Sequence, residues 1–161
     1  MSSSSGFSRG FTLIELMVVV AIVGVLAAMA MPMIELARVR ADEGELRTAL
    51  RQIRTGLDDY KKAWDEGRIE KKTGASGYPP SLEVLVNGVR DVKQPNETKI
   101  YFLRRLPRDP FNPDISLPPE RTWGLRSYAS PPDDPAPGAD VFDVFSLSDR
   151  VGLNGVPYRS W

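Results

Sequence analysis

Glu15 is the only ionisable side chain between Phe11 and Ile34, in a segment that otherwise has the composition of a membrane-spanning helix. A carboxylate at the centre of such a helix costs roughly 2.5–3.5 kcal/mol, so Glu15 needs a partner of opposite charge. Arg9 is the nearest formal cation, and the small residue Gly10 follows it at the border of the apolar run. Cleavage after Gly10 would give Phe11 a free α-amino group, which is a second candidate partner.

The amino-acid composition excludes most catalytic and metal-binding sites. The 161 residues include no His and no Cys, so the chain lacks the commonest general base, thiol nucleophiles, structural zinc ligands and any disulfide. Its 21 Lys and Arg balance its 21 Asp and Glu, and no basic block stands out. Because nucleic-acid binding needs a positive face that neutralises phosphates, no nucleic-acid partner is expected. We predict that the chain is not an enzyme.

The N-terminal part of the chain has two segments of contrasting composition. Residues 1–10 form a Ser-rich leader with one positive charge. The uncharged run that ends at Ile34 is, at about 1.5 Å per residue, about as long as the roughly 30 Å hydrocarbon layer of a bilayer. Gly24 and Pro32 are unusual inside a water-soluble helix but are tolerated in membrane helices. This composition predicts a disposable leader at 1–10 and a transmembrane segment at 11–34.

Apolar residues recur at alternating steps of three and four beyond the transmembrane segment, which indicates one face of a long helix. Glu43 occupies the one position that would otherwise complete this apolar stripe. The opposite face is charged, includes Arg54, and should be solvated. Gly67 is the first residue that would break the helix, so we predict a single helix over about residues 12–65. The stripe consists of Leu36, Val39, Leu46, Leu50, Ile53, Leu57, Tyr60 and Trp64.

The rest of the chain has the pattern of short elements joined by Pro-rich loops. A short element is predicted at Ser81–Val86, with Ser81 as its N-cap. The segments "TWGLRSYAS" and "ADVFDVFSL" alternate apolar and polar residues and predict antiparallel strands, with the turn cluster "PPDDPAPG" between them. Packed on the amphipathic half of the helix, these strands would give an α+β fold with a small antiparallel sheet. Its core should include the large aromatic residues Trp64, Trp123, Tyr128 and Trp161, for which a binding surface is the alternative interpretation.

An ordinary secretory signal peptide is the alternative interpretation of residues 1–34. The small residues Ala28 and Ala30 fit a cleavage site, and cleavage there would release a periplasmic enzyme or binding protein that begins at Met31. Two features oppose this alternative. Glu15 places an acid inside the apolar region, and a signal peptide has no use for such an acid. The apolar stripe also continues in helical register past the cleavage site. A plain signal anchor is the remaining alternative.

The segment "GFTLIELMVVVAIVGVLAAMAMP", residues 10–32, resembles the cleavage and polymerisation motif of type IV pilins and of type II secretion pseudopilins. Further along, "GYPPSLEVLV", "LRRLPRDPF", "WGLRSY" and "DVFDVFSL" resemble the major pseudopilin of type II secretion. The chain departs from that family at residues 112–122, where it inserts "NPDISLPPERT". It also departs in "SLSDRVGLNG", where the family tends to show a Gly- and Asp-rich calcium loop, and it lacks the paired Cys of many type IV pilins.

The resemblance implies a precursor that a prepilin peptidase cleaves between Gly10 and Phe11, with N-methylation of Phe11. Glu15 would pair with the free amine of Phe11, either within one subunit or between neighbours as each subunit is added. Because an isolated carboxylate is costly in an apolar medium, neutralisation of the Glu15 charge would set the axial register between subunits. Gly24 and Pro32 would bound a stretch that locally loses its helix when subunits pack into a filament.

The implied function is that of a structural subunit of a periplasmic pseudopilus in a type II secretion system. The chain would span the bacterial inner membrane once, with a pilin-like domain at residues 35–161 in the periplasm. Its partners would be further copies in a homopolymer, minor pseudopilins and the inner-membrane assembly platform, and the filament would act as a piston or plug for protein secretion. A surface type IV pilin, used for adhesion, motility or DNA uptake, is the alternative within the same class.

Calcium is the one cofactor that the resemblance implies. It would lie at Asp149 and Asn154, with the main-chain carbonyl of Leu147 nearby. Calcium takes roughly six to eight oxygen ligands, several of which can be main-chain carbonyls. The alternative is that the acids in this part of the chain serve only turn chemistry, since Asp bonds its own backbone in loops. These acids are Asp133, Asp134, Asp140, Asp143 and Asp149.

Overall fold

The computed structural model describes residues 11–94, 96 and 98–161, so the predicted leader and Gly10 lie outside the described residues. Within these described residues, two α-helices and four strands form two compact units, the first of which ends at Val39 and the second of which begins at Arg40. The predicted α+β class, with one long helix and small antiparallel sheets, is confirmed. The elements are α1 (Leu13–Asp65), α2 (Glu83–Asn87), β1 (Val89–Arg90), β2 (Lys99–Ile100), β3 (Trp123–Arg126) and β4 (Asp143–Ser146), with 3₁₀ turns at Pro119–Thr122 and Tyr158–Ser160.

Helix α1 begins and ends close to the predicted bounds of 12–65. At its start, the Thr12 hydroxyl accepts a hydrogen bond from the Glu15 N–H at 3.3 Å. At its end, Gly67 has a φ of 69°, a left-handed conformation that glycine adopts without a steric penalty. The N–H of Arg68 reaches the carbonyl of Ala63 at 2.9 Å, and that bond closes a glycine-based C-cap. The predicted breaker at Gly67 is therefore confirmed.

The first unit consists of the apolar half of α1 and a short polar continuation. Its described side chains are exposed or, at Val39, half-buried, and the segment is long and apolar enough to cross a membrane. Leu36, which was predicted to begin the buried stripe, is also exposed. The stripe is therefore half-buried at Val39, and its first fully buried position is Glu43.

The second unit has its core on the amphipathic half of α1, as the stripe predicts. The side chains of α1 that form it pack with Leu85 of α2 and with residues of β3 and β4. Within the β3–β4 pair, Gly124 lies opposite Phe145 and leaves room for its ring, because a Cβ at Gly124 would overlap that ring. The α1 residues buried in this core are Leu46, Ala49, Leu50, Ile53, Leu57, Tyr60 and Ala63.

The strands form two separate antiparallel pairs. Strands β3 and β4 lie within the two predicted strand segments and pair in register from Trp123↔Ser146 to Arg126↔Asp143. The pair β1–β2 was not predicted, because two residues per strand are too few to show alternation. The predicted N-cap of α2 was wrong. Leu82 holds that position with helical dihedrals and no side-chain cap, while the Ser81 carbonyl accepts a bond from the Val84 N–H.

The aromatic residues predicted for the core divide into two groups. Trp123 is buried, and Trp64 and Trp161 are partly buried against the core, as expected. Tyr128 is 62% exposed, so the prediction for this residue was wrong. It lies beyond the end of β3, where pairing with β4 has ceased, and it stacks on Tyr78 at the surface with ring centroids 5.9 Å apart.

Candidate assembly site

The start of α1 brings together Phe11, Thr12 and Glu15. Glu15 lies in the first turn, where the helix dipole favours a negative charge. Thr12 fixes this turn through its bond to the Glu15 N–H, and the spacing Thr-x-x-Glu is the pattern of a capping box. Sequence reasoning missed the role of Thr12, although that spacing was available in the sequence. The geometry therefore holds the carboxylate within one turn of the end at which an amine on Phe11 would lie.

Gly24 and Pro32 lie on the same helix as Glu15 but not close to it. At about 1.5 Å per residue, they are roughly 13 Å and 25 Å further along the axis. A Cβ at Gly24 would meet nothing within 4 Å, so packing within this chain does not require glycine there. Helix α1 is continuous through both positions in this single chain. Local loss of helix in a filament stays a prediction.

The apolar surface around this segment has no cover from the described residues of the chain. Its large side chains, from Phe11 to Ile34, are about half to four-fifths exposed wherever their burial is described. Burial of apolar surface stabilises by about 25 cal/mol per Å², so a surface of this extent requires lipid or other chains around it. The segment can therefore act both as a membrane span and as a contact surface between subunits.

A buried carboxylate in the second unit organises the C-terminal loop, residues 147–157, which joins β4 to the last 3₁₀ turn. Glu43 is 4% exposed, and its Oε1 accepts bonds from the Leu153 N–H at 2.7 Å and the Tyr158 hydroxyl at 3.2 Å. Its Oε2 accepts a bond from Arg47 at 3.3 Å. Burial and the hydrogen bond from the Tyr158 hydroxyl to the Glu43 carboxylate raise the pKa of Tyr158, so the hydroxyl stays protonated and remains a donor. We call Glu43, Arg47, Leu153 and Tyr158 the Glu43 clamp. The gap in the stripe marked Glu43, but its partners were not predicted.

The loop also closes on itself through main-chain bonds. The Gly152 N–H donates to the Val156 carbonyl and the Gly155 N–H donates to the Gly152 carbonyl, both at 2.9 Å. The Asn154 side-chain oxygen accepts a bond from the Val156 N–H at 3.1 Å. These bonds and the clamp together hold the segment that the sequence assigned to calcium.

The residues predicted to bind calcium offer few free side-chain oxygens as ligands. Asp149 and Leu147 are exposed, and the side-chain oxygen of Asn154 already serves the loop. Among the residues that the structure describes, no group of three or more acidic side chains is placed to hold a metal. An ion at this loop would therefore depend mostly on main-chain carbonyls and water. Calcium at Leu147, Asp149 and Asn154 stays a prediction.

Arg54 is a second anchoring residue that sequence reasoning missed, because it was assigned to the solvated face. Its Nε donates to the Asp143 carboxylate at 2.8 Å, and its Nη2 donates to the main-chain oxygens of Val144 and Trp161 at 3.2 and 2.7 Å. Arg54 therefore ties α1 both to β4 and to the segment that follows the C-terminal loop. The position of Arg54 at the border of the apolar stripe did not indicate in the sequence that it would bond to these partners.

Comparison with known proteins adds the family. Residues 1–31 match the family model described as the prokaryotic N-terminal methylation motif. The chain is 31% identical over 136 residues to type II secretion system core protein G of Klebsiella michiganensis. This match covers 82% of this chain and 88% of that protein. It is 32% identical over 152 residues to the protein of the same name from Dickeya chrysanthemi, with 91% and 92% covered.

A third relative is the type IV major fimbrial protein FimA of Dichelobacter nodosus. It is 44% identical over 86 residues, which cover 45% of this chain and 50% of that protein. No solved structure matches the chain. The matches to core protein G extend over most of both proteins, whereas the fimbrial match covers half or less of each. The chain belongs to the family of type II secretion system core protein G, the major pseudopilin.

Proposed function

We propose that this chain is the major structural subunit of a periplasmic filament in type II secretion. The precursor lies in the inner membrane, a prepilin peptidase cleaves it between Gly10 and Phe11, and Phe11 is N-methylated. Residues 11–34, which include the apolar half of α1, then polymerise, while the second unit remains in the periplasm. The observation that carries this proposal is an uncovered apolar half-helix whose one carboxylate, Glu15, lies in its first turn.

The mechanism of assembly follows from the cost of that carboxylate. In a membrane or a filament core, an unpaired carboxylate is strongly disfavoured, and a positive group beside it removes most of the penalty. The amine of the cleaved Phe11 is such a group, and N-methylation leaves its charge in place. A subunit that enters the filament at the wrong axial position would leave Glu15 unpaired, so charge pairing would select the register.

The proposal assigns binding and mechanical roles to the chain rather than catalysis. Its partners are further copies of itself, minor pseudopilins, the prepilin peptidase and the inner-membrane assembly platform. The absence of His and Cys from the sequence supports a non-enzymatic role, since the commonest general base and the thiol nucleophile are both missing. The names of the relatives, a secretion core protein and a fimbrial protein, support the same assignment.

Processing provides the direct test. Gly10→Leu should block cleavage and leave the full precursor in the inner membrane, because the peptidase needs a small side chain before the bond. Gly6→Leu, a substitution of the other glycine in the leader, is the matched control and should be processed normally. N-terminal sequencing of the unmutated mature chain should begin at Phe11. A mature chain that begins at Met31 would instead establish an ordinary signal peptide and refute the proposal.

A surface type IV pilus is the second candidate, and the match to the fimbrial protein supports it. The two functions differ in what a deletion strain loses. Loss of secreted enzymes from the culture medium, with surface filaments unchanged, is the result expected here. Loss of surface filaments with normal secretion would assign the chain to a pilus instead.

A further inference from the structure

The insertion at residues 112–122, which we call the inserted loop, carries an unusually exposed apolar side chain. Ile115 is 90% exposed, the highest fraction of any large apolar side chain among the described residues. Pro113 and Pro118 beside it are also exposed. Isolated apolar residues are common on protein surfaces, so exposure alone does not indicate a binding site. The conformation of the loop distinguishes this case.

The inserted loop is held in one shape by its own hydrogen bonds. Arg108 donates to the main-chain oxygen of Asp114 at 2.7 Å and also to that of Leu117. The Asp114 carboxylate accepts bonds from the N–H and hydroxyl of Ser116 at 2.9 and 2.6 Å, and the Asn112 side chain accepts a bond from the Asp114 N–H. The loop therefore presents Ile115 from a preorganised turn, which lowers the entropic cost of binding.

A groove on the same unit has complementary chemistry. It has a volume of about 1340 Å³, and Tyr60, Trp64, Tyr78 and Tyr128 contribute aromatic side chains to its lining. We call it the aromatic groove. Asp140 connects two of its walls, because its carboxylate accepts bonds from the Ser76 hydroxyl on one side and from the Tyr128 N–H on the other. Aromatic-lined grooves of this kind accept Pro-containing and aliphatic segments.

The loop and the groove lie at opposite ends of the amphipathic half of α1. The loop is anchored where the ring of Phe111 stacks on Tyr158, at a centroid distance of 4.1 Å, and Tyr158 in turn bonds Glu43. The groove begins at Tyr60 and Trp64, roughly 25–30 Å further along the helix at about 1.5 Å per residue. A contact between the loop and the groove would join the end of one copy near Glu43 to the end of the next copy near Trp64.

We propose that the inserted loop of one subunit docks in the aromatic groove of a neighbouring subunit, with Ile115 as the central contact. This inference rests on the filament proposed above and specifies one of its contacts. A contact between two different surfaces of identical chains is heterologous, and heterologous contacts that do not close into a ring build open helical filaments. The occupant is therefore a second copy of this chain, and the inserted loop adds a periplasmic contact to those of the apolar half-helix.

Cysteine cross-linking tests the contact, because the chain contains no other thiol. Ile115→Cys and Ala129→Cys chains are expressed separately and together in cells that assemble the filament, and the filaments isolated from the opened periplasm are oxidised. Ala129 is exposed, small and part of the groove lining. Covalent dimers are expected from the mixture and not from either variant alone. Val151→Cys, which is exposed but outside the groove, replaces Ala129→Cys as the matched control and should give no dimers.

The outcomes separate this inference from the proposed function. Filaments that assemble normally but give no link between positions 115 and 129 would overturn the inference and leave the function standing. The same result is expected if the groove instead binds a Pro-rich segment of an unrelated protein. If the unmutated chain forms no filament at all, the proposed function fails and the inference fails with it.

Substitution of Ile115 provides a second measurement. Ile115→Asp should reduce the association constant for subunit addition about tenfold or more, since a buried Ile contact is replaced by a charge. Ile115→Val should assemble like the unmutated chain. Because Ile115 is exposed in the subunit, neither substitution should change the melting temperature of the chain in detergent. Equal filament yield from the Asp variant and the unmutated chain would refute the contact.

Discussion

The two halves of α1 each contain an acid in an apolar setting, and the two acids have different surroundings. Glu43, on the amphipathic half, is buried and receives hydrogen bonds from Arg47, Leu153 and Tyr158 of its own chain. Glu15, on the apolar half, is exposed, and within the described residues no hydrogen bond or ion pair reaches its carboxylate. One acid is satisfied by folding, whereas the other is left for a partner that folding does not supply.

This difference separates residues that build the subunit from residues that build the filament. Around Glu43 the apolar side chains of α1 are covered by the second unit, so a substitution there should change stability. Around Glu15 the apolar side chains are exposed, so a substitution there should change assembly and leave stability unchanged. The comparison therefore predicts two classes of variant on a single helix.

The largest expected effect is that of Glu15→Ala on assembly. Breaking a buried ion pair costs roughly 3–5 kcal/mol, so the filament yield should fall by at least about a hundredfold. Cleavage after Gly10 and the melting temperature in detergent should not change. Glu35→Ala, which removes an exposed acid just beyond the apolar run, is the control and should assemble normally. Normal filament yield from the Glu15 variant would show that the carboxylate does not position the incoming subunit.

Glu43→Ala should have the next largest effect, on stability. It leaves the Leu153 N–H and the Tyr158 hydroxyl without their acceptor, which should lower the free energy of unfolding by roughly 2–4 kcal/mol. Chemical denaturation in detergent measures this loss. Glu45→Ala, on an exposed position of the same helix, should change the free energy by less than about 0.5 kcal/mol. Equal losses from both variants would remove the distinction between the two regions of α1.

Calcium should have the smallest effect, because it would only add a second support to the loop that the Glu43 clamp already holds. An ion held with a Kd of about 0.1–1 mM would stabilise the second unit by about 1–3 kcal/mol at 10 mM. The melting temperature in detergent should then rise with calcium relative to chelator, and Asp149→Ala should abolish the rise. Asp133→Ala should retain it. Identical melting with calcium and with chelator would leave the Glu43 clamp and the aromatic contacts as the support of the loop.

Periodicity in the sequence was sufficient to predict α1 and the β3–β4 pair. Each depends on local spacing, so the stripe from Leu46 to Tyr60 and the alternation in "DVFS" appear in the structure where they were predicted. The end of α1 was predicted for a similar reason, since Gly67 is a local signal. The Thr12 cap was equally local and could have been found from its spacing to Glu15.

Long-range partners were not predictable from spacing. The Glu43 bonds join residues that are 110 and 115 positions apart, and the Arg54–Asp143 pair joins residues 89 positions apart. The sequence marked Glu43 as an irregularity in the stripe, but its partners depend on how the loops return to α1. The exposure of Tyr128 was missed for the same reason, because it depends on where the pairing of β3 with β4 ends.

The Glu43 clamp also has a consequence for the order of events during export. Closing a contact across more than 100 positions is entropically costly and slow, whereas α1 can form as soon as its own residues are available. In the topology proposed above, Glu43 would therefore lack its C-terminal partners until Leu153 and Tyr158 had crossed the membrane. A subunit interrupted before that point would keep an unsatisfied acid on its helix. Only a fully translocated subunit would therefore have this acid satisfied before it polymerises.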